Sequence, residues 1–378
     1  MEKSSLVYIM LTIITVGFAL LIRNKEYVAC RIKGGYDAGT YKPTDCKKAR
    51  NLVAEFVIYA LLAGVSACRI AVGNDYWEYR FNFRLIAQER HVSSEFGFNM
   101  IVKWIQMIFG YDHYLPVFGF FSLITVFFFV KALHDQATDY AMSLFLLMTG
   151  GYYFNSLNTV RYYLALAIAL YSIKYLLRTE ILKFILLVVW AGTFHKTVLV
   201  VIPVFLVAYF LAVKGPAKWQ IPFGIAMIGG LIFGKDLIRK VIFKIYPQYL
   251  HSGFDNGRIP FINVGKCLIL IVLAVLVLVL HKEKWSIPVR FYFILTLFAL
   301  ASLFCGSYIP EVSRIAYYMM VTQIFLIPEF LGMLDNKRIR LLCRYAVILG
   351  FTMYFALMLK KMYSLDIRLL PYMNWIFD

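Results

Sequence analysis

Long apolar runs, separated by short polar and mostly basic stretches, fill nearly the whole chain. An α-helix crosses the hydrocarbon core of a bilayer in roughly 20 residues. At that spacing the pattern predicts membrane helices near 5–22, 51–70, 114–132, 140–157, 162–178, 181–196, 197–213, 219–234, 261–281, 289–306, 315–333 and 342–360, about twelve in all. The stretch 181–213 is too long for one span and divides at His195 and Lys196. Residues 96–110 are apolar but short, and Asn99, Lys103 and Gln106 recur on one helical face, which predicts an amphipathic interfacial or re-entrant helix. The segment 236–245 has the same design, with Leu237, Val241 and Ile245 opposite Arg239, Lys240 and Lys244. Residues 6–22 are not followed by a small-residue cleavage site, so they read as a retained first span rather than a signal peptide. The expectation is an all-α, polytopic integral membrane protein forming one membrane domain over 1–378, without internal repeats or a soluble domain.

Composition sharpens that class. With 61% hydrophobic and 16% charged residues over 378 positions, the chain has too little polar surface for a soluble domain of this size. Its 17% aromatic content fits rings at headgroup depth. The formal net charge of +18 is spread between apolar segments instead of gathered on one face, which argues for contact with anionic lipids and against nucleic acid. The six cysteines form no C-x-x-C pair, so neither a zinc site nor a disulfide framework is expected.

The loop 23–50 carries Arg23, Lys25, Arg31, Lys33, Lys42, Lys47, Lys48 and Arg50, and a loop this basic stays in the cytoplasm. Both termini then face outward, and 71–113 and 235–260 become outer loops. Under that parity Lys174, Arg178, Lys183, Lys214, Lys282, Arg290, Lys337 and Arg344 fall inside, although loop 235–260 is itself basic. The outer ends of the spans collect the polar residues. One reads C-R-I-A-V-G-N-D-Y-W-E-Y, placing Arg69 near a helix end, Gly73 where the backbone can turn, and Asp75, Tyr76 and Tyr79 just beyond. The next, F-N-S-L-N-T-V-R-Y-Y, supplies Asn158 and Arg161; W-A-G-T-F-H-K-T supplies His195; P-E-V-S-R-I-A-Y-Y supplies Glu311, Arg314 and Tyr317. Ionisable groups are costly in hydrocarbon and tend to mark sites, and this one-sided set suits a polyanion handled at the outer face. Plainer roles are open for each: Arg69 and Arg314 as arginines snorkelling to lipid phosphates, Asp75 as a helix cap or a partner of Arg69, His195 bonded to a neighbouring carbonyl, and the tyrosines as interfacial belt residues.

In this order, R-x-x-V-G-N-D-Y-x-x-Y, N-T-V-R-Y-Y-L-A-L-A-I-A-L, F-H-K-T, S-R-I-A-Y-Y and a closing L-P-Y resemble the EpsG-like family from about residue 51 to the C-terminus. That family is similar to Wzy-type polysaccharide polymerases and to GT-C-type membrane glycosyltransferases. Arg69, Gly73, Asp75, Tyr76 and Tyr79 match the first motif, Asn158 and Arg161 the second, His195 the third and Arg314 the fourth. Tyr162 stands where many relatives carry glutamine. The resemblance implies transfer of a growing glycan from undecaprenyl diphosphate to a lipid-linked oligosaccharide repeat unit, at the outer face of a bacterial cytoplasmic membrane. It also implies a flippase and a chain-length regulator as partners. Arginines suit the charge that grows on a lipid diphosphate leaving group, and the chain has no D-x-D metal motif, so no metal or other cofactor is expected. Asp75 and His195 are the candidate bases for the acceptor hydroxyl, with Arg161 as the catalytic arginine. Arg69, Gly73, Tyr76, Tyr79, Asn158, Arg314 and Tyr317 are the candidate substrate-binding residues. A flippase would show repeats and charges near mid-membrane, and an acyltransferase would take its donor from the cytoplasm; both fit the outer-face pattern less well.

Overall fold

In the computed structural model the described residues are 3–22, 45–214, 260–280, 285–306, 312–365 and 367–376, with scattered positions between 222 and 244. Outside them lie residues 23–44 of the basic loop, most of the expected span 219–234, nearly all of outer loop 235–260 with its helix, and Glu311. Among the described residues every regular element is helical. The helices are α1 (Lys3–Ala19), α2 (Asp45–Ala67), α3 (Tyr76–Ala87), α4 (Phe96–Phe109), α5 (Leu115–Gln136), α6 (Tyr140–Thr149), α7 (Tyr152–Ser156), α8 (Val160–Leu177), α9 (Ile181–Gly192), α10 (Val201–Lys214), α11 (Phe261–Leu280), α12 (Ile287–Cys305), α13 (Val312–Met320), α14 (Gln323–Met333) and α15 (Lys337–Lys361).

Six described stretches are long and apolar enough to cross a membrane: Lys48–Ala67, Leu115–Gln136, Val160–Leu177, Lys196–Lys214, Ile287–Cys305 and Lys337–Lys361. A seventh is the pair α13 and α14, bent by 40°. α1, α4, α6, α9 and the segment Phe261–Val277 are shorter apolar helices. The expected span 140–157 is broken at Gly150 and Gly151, and 315–333 is bent where α13 gives way to α14. The division of 181–213 falls where the sequence placed it: α9 ends at Gly192, and a 3₁₀ turn starts at Lys196.

Local chemistry explains several helix ends and interiors. Pro116 lies in the first turn of α5, where its missing N–H removes no helical bond. Asp139 caps α6 by accepting from Met142 N at 3.2 Å. Inside the apolar helices, Thr15, Thr125 and Thr149 return their hydroxyls to the carbonyls of Leu11, Phe121 and Phe145.

The chain divides into two compact units, Met1–Leu199 with Leu342–Asp378, and Val200–Leu341. In the first, α5 and α8 run parallel: Asp135 pairs with Lys174 at one end, and at the other Tyr79 meets both Phe118 and Arg161. α2 runs antiparallel to α5: Arg69 reaches Ser122 at one end, and Glu55 meets His134 at the other. α9 returns along α8, so that Tyr162 near the start of α8 touches His195 just past the end of α9. Hence the end of α2, the starts of α5 and α8 and the end of α9 share one end of this bundle. The opposite end holds ion pairs of its own, including Lys174 with Asp135 at 2.8 Å and Arg344 with Asp139 at 3.1 Å. In the second unit α12 packs against α10, α11 and α13, and a cavity of about 360 Å³ there is lined by uncharged residues including Val207, Phe298 and Met319.

Candidate active site

The turn after α2 is built backbone to backbone. Residues 367–375 lie along it: Ile70 N donates to Met373 O at 2.9 Å, Gly73 N to Arg368 O at 2.7 Å, Asn74 N to Ile367 O at 3.0 Å, and Trp375 N to Cys68 O at 3.1 Å. Tyr372 fastens the tail further by donating its hydroxyl to Val65 O at 2.9 Å. Gly73 has φ +98°, and a Cβ there would stand 2.9 Å from Asn158 Oδ1, so both backbone shape and space require glycine. Asn158 Oδ1 accepts from Asp75 N at 2.9 Å. This one side chain ties the turn before α3 to the turn before α8. Asp75 stands at the head of α3, but its side chain does not cap that helix.

Arg161, the second residue of α8, faces a carboxylate that the motifs did not include. Its Nη1 donates to Glu95 Oε2 at 2.5 Å, and its guanidinium lies over the rings of Phe98 and Tyr79, at 5.5 and 5.9 Å from their centroids. Tyr79 also accepts from Arg161 N at 3.4 Å, and burial raises its hydroxyl pKa above the ordinary value, keeping it protonated. The other oxygen of Glu95 turns to the end of α9: Oε1 accepts from Lys196 N at 3.1 Å and lies 3.6 Å from His195 Nδ1. The edge of the Tyr162 ring meets the His195 ring at 5.4 Å between centroids. The Arg161, Glu95 and His195 side chains are only 22%, 14% and 16% exposed, which strengthens their electrostatics relative to water.

Helix α4 carries Glu95 into place. Gly97 N and Phe98 N both donate to Thr193 O, at 3.0 and 3.3 Å, and a Cβ on Gly97 would collide with Thr193. The outer side of α4 presents Phe96, Met100, Trp104, Met107 and Ile108, as an interfacial helix would. Of the polar face expected there, Gln106 is buried and donates to Phe83 O, and Lys103 pairs with Glu89. Glu95 was legible only as an acidic residue at the head of an apolar helix.

The remaining expected residues have surroundings of their own. Arg69 is 1% exposed and turned into the bundle, where Nη1 donates to Ser66 O and, at 2.8 Å, to Ser122 Oγ, with Phe118 beneath its guanidinium. Its Nη1 is thus engaged by protein groups rather than by the membrane surface. Tyr76 is buried as well, stacked on Phe118 at 4.6 Å. Arg314 and Tyr317 lie on α13 in the second unit; Arg314 is exposed, and Tyr317 Oη accepts from Asn263 Nδ2 at 2.9 Å. Among the described residues, no three His, Cys, Asp or Glu side chains gather into a metal-binding group.

An all-helical, multi-pass membrane protein with an arginine, a histidine and a carboxylate brought together at one end of a bundle is the class these features define. The chain belongs to the EpsG family, whose profile matches residues 53–374 and so takes in every segment of this site. Neither the curated proteins nor the solved structures yield a match to the chain.

Proposed function

We propose that this protein is a polysaccharide polymerase. It transfers a growing glycan from undecaprenyl diphosphate to a lipid-linked oligosaccharide repeat unit at the outer face of the bacterial cytoplasmic membrane. The observation that carries this reading is the cluster of Arg161, His195 and Glu95 at one end of the bundle, in a chain of the EpsG family.

The acceptor hydroxyl oxygen forms a bond to C1 of the donor sugar as the bond from C1 to the diphosphate oxygen breaks, and the bonding pair leaves with the diphosphate. Negative charge grows on that leaving group, and a fixed guanidinium in a mostly buried site stabilises it. Arg161 supplies this group, with the Phe98 and Tyr79 rings holding its plane. The hydroxyl proton needs a base in reach, and His195 and Asp75 are the groups offered at this end of the bundle. In this reading Gly73 and Asn158 shape the site, and Arg69 braces the end of α2 against α5.

Deleting the protein from cells that make the polymer should leave single repeat units on the lipid carrier at the outer face. Repeat units trapped at the inner face would point to a flippase instead and would overturn the polymerase reading.

A further inference from the structure

We propose that Glu95 is the positioning residue of this site. Its two oxygens are divided between Arg161 and the turn that carries His195, so that one side chain sets the anion-binding group and the base relative to each other. The inference rests on the polymerase reading and deepens it, selecting His195 over Asp75 as the base.

The geometry favours this role. Glu95 is held at both oxygens, through Arg161 Nη1 and through the backbone N–H of Lys196, and the head of α4 is pinned to Thr193 by two further backbone bonds. These four hydrogen bonds restrain the carboxylate, and Oε1 rests 3.6 Å from His195 Nδ1. Hydrogen bonds of unliganded catalytic sites are commonly long and tighten when substrate binds. A carboxylate facing Nδ1 favours the tautomer with its proton there, leaving the Nε2 lone pair to accept the hydroxyl proton. The imidazolium formed in that step is then stabilised by the same carboxylate, as in other carboxylate and histidine pairs. The proton passes from the acceptor hydroxyl to Nε2, and the imidazolium returns it to water after the diphosphate has left. Glu95 engages Nη1 of Arg161 and the Tyr79 hydroxyl bonds the same side chain, so the guanidinium is held in place before a substrate arrives.

The test uses the full-length protein in proteoliposomes with purified lipid-linked repeat units, and reads kcat and KM separately. Glu95→Gln keeps the shape and removes the charge. It should lower kcat by about 10²-fold and change KM by less than about threefold. In a His195→Ala background the same change should cost much less than in the wild type, because the share of the loss that acts through the imidazole is already gone and only the share acting through Arg161 remains. If Glu95→Gln does not accumulate, Glu95→Asp, which keeps the charge but shortens the reach by one methylene, carries the same cycle.

Equal losses in both backgrounds would overturn the assignment, since Glu95 would then act independently of His195. A lower KM with undiminished kcat would also overturn it, and would make Glu95 a resident anion that competes with the diphosphate for Arg161. Wild-type protein that leaves the repeat units unextended would instead sink the polymerase reading itself.

Discussion

Arg161 shows how much of the chemistry rests on the shape of one side chain. A guanidinium is a planar fork of donors, whereas an ammonium is a point charge, and only the fork can give one N–H to Glu95 and another to a ligand from a place over two rings. Arg161→Lys should therefore lose most polymerisation, by about 10²-fold, and Arg161→Ala essentially all of it, with single lipid-linked repeats accumulating. Full-length polymer from the lysine variant at normal abundance would show an arginine that only snorkels to lipid phosphate, a task lysine performs about as well. Arg161 and His195 were legible because each is a polar residue at the end of an apolar run. Glu95 was not, since its partners lie 66 and 101 residues further along the chain and only the folded bundle brings them together. For Arg69 the position was legible but not its surroundings. A charge at a helix end reads the same in sequence whether it faces a ligand or, as here, Ser66 and Ser122.

At the scale of elements, the site depends on residues 367–375 and on α1 as well as on the helices that carry its side chains. The turn bearing Gly73 and Asp75 borrows its hydrogen bonds from the last residues of the chain, and α1 supports that tail where Tyr8 donates its hydroxyl to Leu369 O at 2.8 Å. A net hydrogen bond contributes about 0.5–1.5 kcal/mol, and leaving buried backbone groups unpaired costs more. Deleting residues 367–378 should therefore lower the thermal unfolding midpoint in detergent and abolish polymerisation, whereas Tyr372→Phe, which loses one bond to Val65 O, should cost about 1 kcal/mol and keep most activity. A truncated protein with unchanged midpoint and turnover would mean that the turn holds its shape unaided. Helix positions followed from apolar run length, but of the about twelve spans expected only six described stretches, or seven with the bent pair, are long and apolar enough to cross. The break at Gly150 and Gly151 and the bend between α13 and α14 did not follow, because tertiary packing sets them while the apolar pattern continues across both.

At the scale of the whole molecule, the arrangement of α2, α5, α8 and α9 puts Asp75, Arg161 and His195 at one end of the first unit, and the sequence decides which side of the membrane that end faces. α2 begins at Asp45, at the opposite end, and the stretch 23–50 that leads into it carries eight basic residues; the positive-inside preference therefore predicts that end in the cytoplasm and the site outside. His91, exposed between α3 and α4, lies on the chain joining Asp75 to Glu95, whereas Thr179, exposed between α8 and α9, lies at the far end. Single cysteines at these two positions, in a protein stripped of its native cysteines, test the orientation. His91→Cys should react with a membrane-impermeant maleimide in intact cells, and Thr179→Cys only after permeabilisation. Labelling of both from the same side would contradict the bundle, in which α8 separates them. The reverse pattern would preserve the bundle but turn the site to the cytoplasm, where a polymerase acting on exported lipid-linked repeats could not meet its substrate.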